Sequence, residues 1–439
     1  MPIRTHLTLL IVTALALTAC GGGGGSDSAT PAPAAPAQAS APATASAPGT
    51  ASVPAAASAA SSASAASAPS ADSTTVVQST TPNVQTITVT STPTRTRNML
   101  QTSVTICVPG TNTCQTIDNI QVDTGSHGLR VLASALNSQI ALPLVAASGS
   151  NGIVAECSVF GTGYTWGAVR TADVRLAGQV AGATSVQLIA DASTPTAPAD
   201  CAQSGLPMLD ASKLRGNGIL GVGPFTADCG AGCAASAMPR WYYTCNAGGG
   251  CTASSLPVAQ QVTNPVANFA ADNNGVLIEL PAIPAAGASA VTGTMTFGIG
   301  TQANNLLGSA TVLKSSSSSG YVSTSFGGSQ YGTSFIDSGS NGLFFPSTSI
   351  TTCGAWYCPA ATQALSATVR STSGITTDVS FSVAQSTTLI ASGNFAFSNL
   401  AGPSSGYFDW GLPFFFGRRV FTALEGRATP AGNGPYYAF

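Results

Sequence analysis

Charge is what this sequence has least of. Only 7% of its 439 residues are Asp, Glu, Lys or Arg, and the net charge is −2. That balance leaves no basic stripe for nucleic acid and no acidic tail. Histidine is scarcer still: His6 and His127 are the only two, so a histidine-rich metal site is excluded on count. No Asp-x-Asp-x-Asp-Gly calcium loop and no Gly-Lys-Ser/Thr phosphate loop occurs. No long amphipathic helical pattern alternates with strand patterns, which argues against a parallel doubly wound sheet. The reading therefore carries no metal and no cofactor.

The first seventy-five residues are not globular in character. Arg4 precedes an apolar core, "LTLLIVTALALTA", too short to span a bilayer and suited to a secretion signal. It ends in "LTAC", which resembles a bacterial lipobox. The resemblance implies a lipoprotein signal over residues 1–20, with Cys20 diacylated and the chain held on a membrane by its lipid. Gly21 follows where an Asp would retain the protein at the inner membrane, so the expected place is the outer membrane, facing periplasm or surface. Residues 21–75 are Ala, Ser and Pro after a Gly run, a composition that cannot be buried and that reads as a disordered tether. As a flexible coil its ends would lie roughly 40 Å apart.

Eleven cysteines less Cys20 leave ten, an even number. Close pairs with turn residues between them, "CVPGTNTC" and "CGAWYC", suit local bridges in a secreted chain. Five disulfides are expected, with Cys157 to Cys201 as the long-range one. A zinc cluster is the competing use of clustered thiolates.

From about residue 82 the pattern changes to short β-branched runs: "VQTITVTST", "TSVTICV", "RTADVRLAG", "TSVQLIA", "NGVLIELPA", "GTMTFGIG" and "TDVSFSVA". Gly, Asn, Ser and Pro clusters separate them, which predicts an antiparallel, all-β fold with few helices. The only helical candidates are short, "LRVLASAL" and "LPVAQQV".

Two stretches share one design. "NIQVDTGSHGLRVLAS", residues 119–134, and "GTSFIDSGSNGLFFPS", residues 332–347, each run an apolar strand into Asp, then Thr/Ser-Gly-Ser, then a second apolar strand. Each places a carboxyl at the end of a rigid element. Brought face to face, two such carboxyls would share a proton, because like charges at that distance cannot both ionise. One could then take a proton from water while the other protonates a substrate carbonyl. Taken singly, each stretch is also an ordinary Asx-type turn between strands.

On these motifs, residues 95–439 resemble a pepsin-type aspartic peptidase. The resemblance implies a bilobal all-β fold, with a first lobe over 95–285 and a second over 286–439. It assigns the catalytic pair to Asp123 and Asp337. Thr124 and Ser338 fall on the residues that cross-link the two loops, with Gly125, Ser126, Gly339 and Ser340 completing them. "GNGILGVGPF" is similar to the segment that packs behind the first loop, "CSVFGTGYTWGAVRTADVRLAG" to the flap hairpin, "GTMTFGIG" to the opening strand of the second lobe, and "WGLPFFFGRRVFTALEG" more loosely to the closing segment. Phe160, Gly161, Tyr164 and Trp166 would then line the flap and substrate cleft. The pattern departs from the family at two places: Phe160 stands at the flap tyrosine and Arg130 at the tryptophan, so the usual flap hydrogen bond cannot form, and Tyr164 or Trp166 would have to substitute.

The resemblance implies an endopeptidase that takes an extended peptide or protein substrate, acts as a monomer and loses activity towards alkaline pH. The alternative is a binding lipoprotein on the same scaffold that captures peptides or envelope polymers without turnover. An unrelated β-rich adhesin would have no use for two facing acids. "GPSSG", residues 402–406, fits a nucleophile pattern, but it lacks a preceding buried strand and would need His127 as its base. His127 itself is expected to be exposed in its loop.

Overall fold

A computed structural model describes residues 78–148, 151–246 and 249–439. The signal, Cys20 and the linker 21–75 lie outside the described residues.

All seven β-branched runs are strands: Val84–Val89, Leu100–Cys107, Gly163–Leu176, Gln179–Ile189, Gly275–Leu280, Val291–Phe297 and Thr376–Val383. Among the described residues the longest helix is Ser386–Ala391, so the fold class is all-β. Stiff β-branched side chains favour this extended, half-buried backbone. No helix among the described residues is long and apolar enough to cross a membrane.

The two helical candidates take other forms. "LRVLASAL" is the strand His127–Leu132 followed by a 3-10 turn over Ala133–Ala135. Its apolar spacing fits a helix as well as a strand, and pairing decides the matter: Leu129 lies opposite Leu220 and Val131 opposite Leu188. "LPVAQQV" holds only the 3-10 turn Val258–Gln260.

Six strands close into a ring. Leu100–Cys107 pairs with Cys114–Asp123, which pairs in parallel with Gly218–Val222; that strand pairs with His127–Leu132, then Gln179–Ile189, then Gly163–Leu176, which returns to Leu100–Cys107. A separate seven-stranded sheet contains Ser329–Ile336, Leu343–Phe345 and Phe408–Trp410. Val84–Val89 joins the ring to a run of strands from the second half of the chain, pairing with both Leu100–Cys107 and Val291–Phe297. The compact fold therefore begins before residue 95, at strand Val84–Val89.

A bulge re-phases the strand that leads to the first acid. Pairing shifts between Thr102 and Val104, and Asn119 takes φ +59°, a left-handed conformation that Asn tolerates. Ile117 and Ile120 differ in parity and would point to opposite faces of a regular strand, yet both are buried with Val122. The extra residue brings Val122 into the core and leaves Asp123 at the strand end.

All ten cysteines of the described chain are paired, as expected from the sequence: 107 with 114, 157 with 201, 229 with 233, 245 with 251 and 353 with 358.

Candidate functional site

Each acid loop hangs from a strand whose neighbours fix it. Asp123 ends Cys114–Asp123 and lies beside Gly221 of the parallel strand Gly218–Val222. Just past that strand, a methyl on Gly223 would sit 2.7 Å from His127 Nε2 and 2.8 Å from the Ser126 and Thr124 carbonyls, so only Gly lets the backbone pass so close behind the loop. The Gly223 N–H bonds the Ser126 carbonyl at 2.9 Å. On the other side Asp337 follows Ser329–Ile336, its N–H bonded to the Trp410 carbonyl at 3.0 Å.

The two loops are wired alike. Asp123 Oδ1 accepts from the Gly125 N–H at 2.8 Å and Oδ2 from the Ser126 hydroxyl at 2.5 Å. Asp337 Oδ1 accepts from the Gly339 N–H at 2.7 Å and Oδ2 from the Ser340 hydroxyl at 2.8 Å. Between the loops the exchange is reciprocal. Thr124 Oγ1 accepts from the Ser338 N–H at 2.9 Å and donates to the Ile336 carbonyl at 3.0 Å. Ser338 Oγ accepts from the Thr124 N–H at 3.1 Å and donates to the Val122 carbonyl at 2.9 Å. Gln121 adds a bond to the Gly339 carbonyl at 2.8 Å. Thr124 and Ser338 are buried, so each hydroxyl meets one backbone donor and one backbone acceptor of the opposite segment away from water.

The carboxyls meet across this cross-link. A methyl on Gly125 would lie 2.7 Å from Asp337 Cγ, and one on Gly339 would lie 2.5 Å from Asp123 Oδ1. Asp337 is raised well above the ordinary carboxyl range, first by burial, then by the Asp123 charge and by the hydrogen bond between the two carboxyls. A proton held on Asp337 beside Asp123 is the state in which one acid can donate while the other accepts.

Sequence reasoning missed a third acid. Asp409 is buried in Phe408–Trp410, opposite Phe335 and Phe344, with Oδ1 unpartnered. It too is pushed well up, by burial and then by the Asp337 charge, while Ser340 draws it down. Its signal was an acid inside the aromatic run "YFDWGLPFFF" of a chain that has few acids.

Phe160 and Gly161 lie at the turn of the hairpin Ile153–Phe160 and Gly163–Leu176. Tyr164 and Trp166 do not line that turn. Both are buried in a satellite core with Tyr243 and the Cys157–Cys201 pair, and the Trp166 indole donates to the Pro195 carbonyl at 2.8 Å. Their large apolar bodies are worth more inside that cluster than in water, so neither lines the turn.

His127 is half-buried and neutral rather than exposed. Burial, then the Arg130 charge, push it down to about 3, and its ring lies edge-on to Phe225 at 5.1 Å. It cannot serve the "GPSSG" serines, and the Ser404 hydroxyl donates to the Tyr407 carbonyl at 2.5 Å. Among the described residues no three His, Cys, Asp or Glu side chains converge to hold a metal ion.

Residues 79–439 match the family described as "Protein of unknown function (DUF3443)", and the chain belongs to that family. No curated protein matches the chain.

Proposed function

We propose that the chain is an aspartic-type endopeptidase of the pepsin-like superfamily, folded as two lobes that divide near residue 285, the first beginning upstream of residue 95 at Val84–Val89, with Asp123 and Asp337 as its dyad. The observation that carries the reading is the pair of identically wired loops whose carboxyls lie within hydrogen-bond reach. An unrelated β-rich adhesin gives no reason for that convergence. Asp337, raised by its neighbours, holds the shared proton. Ionised Asp123 takes a proton from water held between them, the new hydroxide adds to the peptide carbonyl, and Asp337 protonates the carbonyl oxygen. The tetrahedral intermediate collapses as one of its hydroxyls returns a proton to Asp337 and Asp123 gives its proton to the amide nitrogen, which leaves as the amine, so no covalent enzyme intermediate forms. The hairpin at Phe160–Gly163 is the flap over an extended polypeptide that pairs with strand edges. A monomer anchored through Cys20 at the outer membrane completes the proposal.

The test is cleavage of a mixed peptide library from acid to neutral pH by residues 78–439, beside Asp337→Asn. Cleavage by the parent and none by the variant supports the dyad, and the product ends report the subsites. The observation that favours capture without turnover is a restrained flap: Gly163 pairs with Leu206, and Cys157 is bridged to Cys201. Folded protein that binds peptides and never cuts them would support that second reading.

A further inference from the structure

Arg130 occupies the centre of a buried cluster that reaches from the first acid loop to the flap. It lies in His127–Leu132 and is 1% exposed. Its Nη1 donates to the His127 carbonyl at 2.7 Å, one residue past the Asp-Thr-Gly-Ser turn. Its Nη2 donates to Glu156 Oε1 at 2.5 Å and to Asp228 Oδ2 at 3.0 Å. The guanidinium also lies 5.7 Å from the centre of the Phe160 ring. Glu156 and Phe160 are both even-numbered positions of Ile153–Phe160, so both face the cation from one side of the flap strand. One side chain thus holds the backbone beside Asp123, the middle of the flap strand and the flap tip.

The cluster is costly to bury, which argues that its arrangement is specified. One buried cation faces two buried carboxyls, and the surplus charge is relieved by Asp228, which burial and the Glu156 charge raise well above the ordinary range. The Tyr242 hydroxyl completes the cluster by donating to Asp228 Oδ1 at 2.5 Å, and the Val262 N–H bonds that same hydroxyl at 2.7 Å. An apolar side chain at position 130 would need neither carboxyl.

We propose that Arg130 is a positioning residue that sets the placement of the flap over the two acids, through the Nη2 bond to Glu156 and the guanidinium face on Phe160. Its kinetic consequence rests on the peptidase reading; its structural consequence does not. Arg is suited to the task because a planar fork can hold a carboxylate at its edge and an aromatic ring at its face, which the point charge of Lys cannot.

The test uses residues 78–439 with Arg130→Lys, Phe160→Leu, and both together. Arg130→Lys keeps a charge for Glu156 and Asp228 while losing the planar stack; Phe160→Leu keeps apolar volume without a ring face. Amide hydrogen exchange over residues 153–167 is the first readout. Each single variant is expected to speed exchange there about tenfold and the double variant no further. Steady-state cleavage is the second, with KM raised about tenfold and kcat changed less than threefold in both singles, again without addition. Exchange at the parental rate in Phe160→Leu, or additive effects in the double variant, overturns the proposal. If Arg130→Lys fails to fold, Phe160→Leu still decides on its own. If no variant and no parent cleaves, the exchange result stands alone, so the loss of the peptidase reading and the loss of this one are told apart.

Discussion

The two acid loops agree in the bonds to their carboxylates and in the reciprocal Thr124–Ser338 cross-link, and differ in what surrounds them. Behind the Asp123 loop lies an ionic cluster of Arg130, Glu156 and Asp228 beside a neutral His127, on a closed ring of strands. Behind the Asp337 loop lie a third acid, Asp409, and a stack of rings in which Phe345, Phe408 and Trp410 sit 4.4 to 5.2 Å apart. The like wiring holds two carboxyls in one geometry, and the raised Asp337 owes its shift to burial and to Asp123 rather than to either surrounding cluster.

The largest effect is expected where the comparison is closest. Asp123→Asn and Asp337→Asn should each lower cleavage by at least about 10²–10⁴-fold, measured as kcat/KM, with no loss in the urea midpoint. A residual rate in one variant far above the other would make the loops unequal partners. Next come the facing glycines: Gly125→Ala and Gly339→Ala push a methyl into the opposite carboxyl. Each should lower kcat about 10²-fold, because a displacement near 1 Å costs that much. Equal losses would sharpen the likeness of the loops, and a silent Gly125→Ala would break it.

Stability should report the cross-link. Ser338→Ala strands the Thr124 N–H and the Val122 carbonyl, and about 2–3 kcal/mol should be lost in urea unfolding. Thr124→Val should cost a similar amount, by stranding the Ser338 N–H and the Ile336 carbonyl.

The smallest effect concerns pH. Asp228, Asp337 and Asp409 hold protons in the fold that the unfolded chain would release. Their contribution is therefore complete below the ordinary carboxyl range and is lost as pH rises through their raised folded values. Below its ordinary 6.5 His127 acts the other way, since the unfolded chain takes up a proton that the folded ring refuses. Above that value the raised acids act unopposed by His127, and the thermal midpoint should fall as pH rises. Asp409→Asn should flatten that fall by roughly 2–4 °C, and an unchanged slope would show that Asp409 carries no proton there.

Much of this was legible because it is written locally. Asp-Thr-Gly-Ser and Asp-Ser-Gly-Ser state their own turns, the seven β-branched runs state their own strands, and four of the five cysteine pairs close within 4 to 7 residues. What stayed hidden is carried by separation along the chain. Arg130, Glu156 and Asp228 come from three distant segments, and nothing near any of them announces the others. Asp409 reads as one acid in an aromatic run until Phe408–Trp410 is laid beside Ser329–Ile336. Trp166 and Tyr164 were assigned to the hairpin's open side by their nearness to its turn, but a neighbouring core decides which way a strand residue faces.

Strand Val84–Val89 bears on how the molecule is made. Its partner across the sheet, Val291–Phe297, is synthesised some two hundred residues later, and that sheet is continued by Tyr436–Ala438 at the far end of the chain. A polypeptide emerging from a ribosome therefore has this strand in hand, paired over two residues with Leu100–Cys107, long before its other edge can be paired. Contacts of such long sequence separation slow folding. During that wait the strand presents a bare hydrogen-bonding edge, an invitation to stick to other chains. This sheet is completed only after Val291–Phe297 has been made, and a carrier that shields the early strand until then would raise the yield of folded protein.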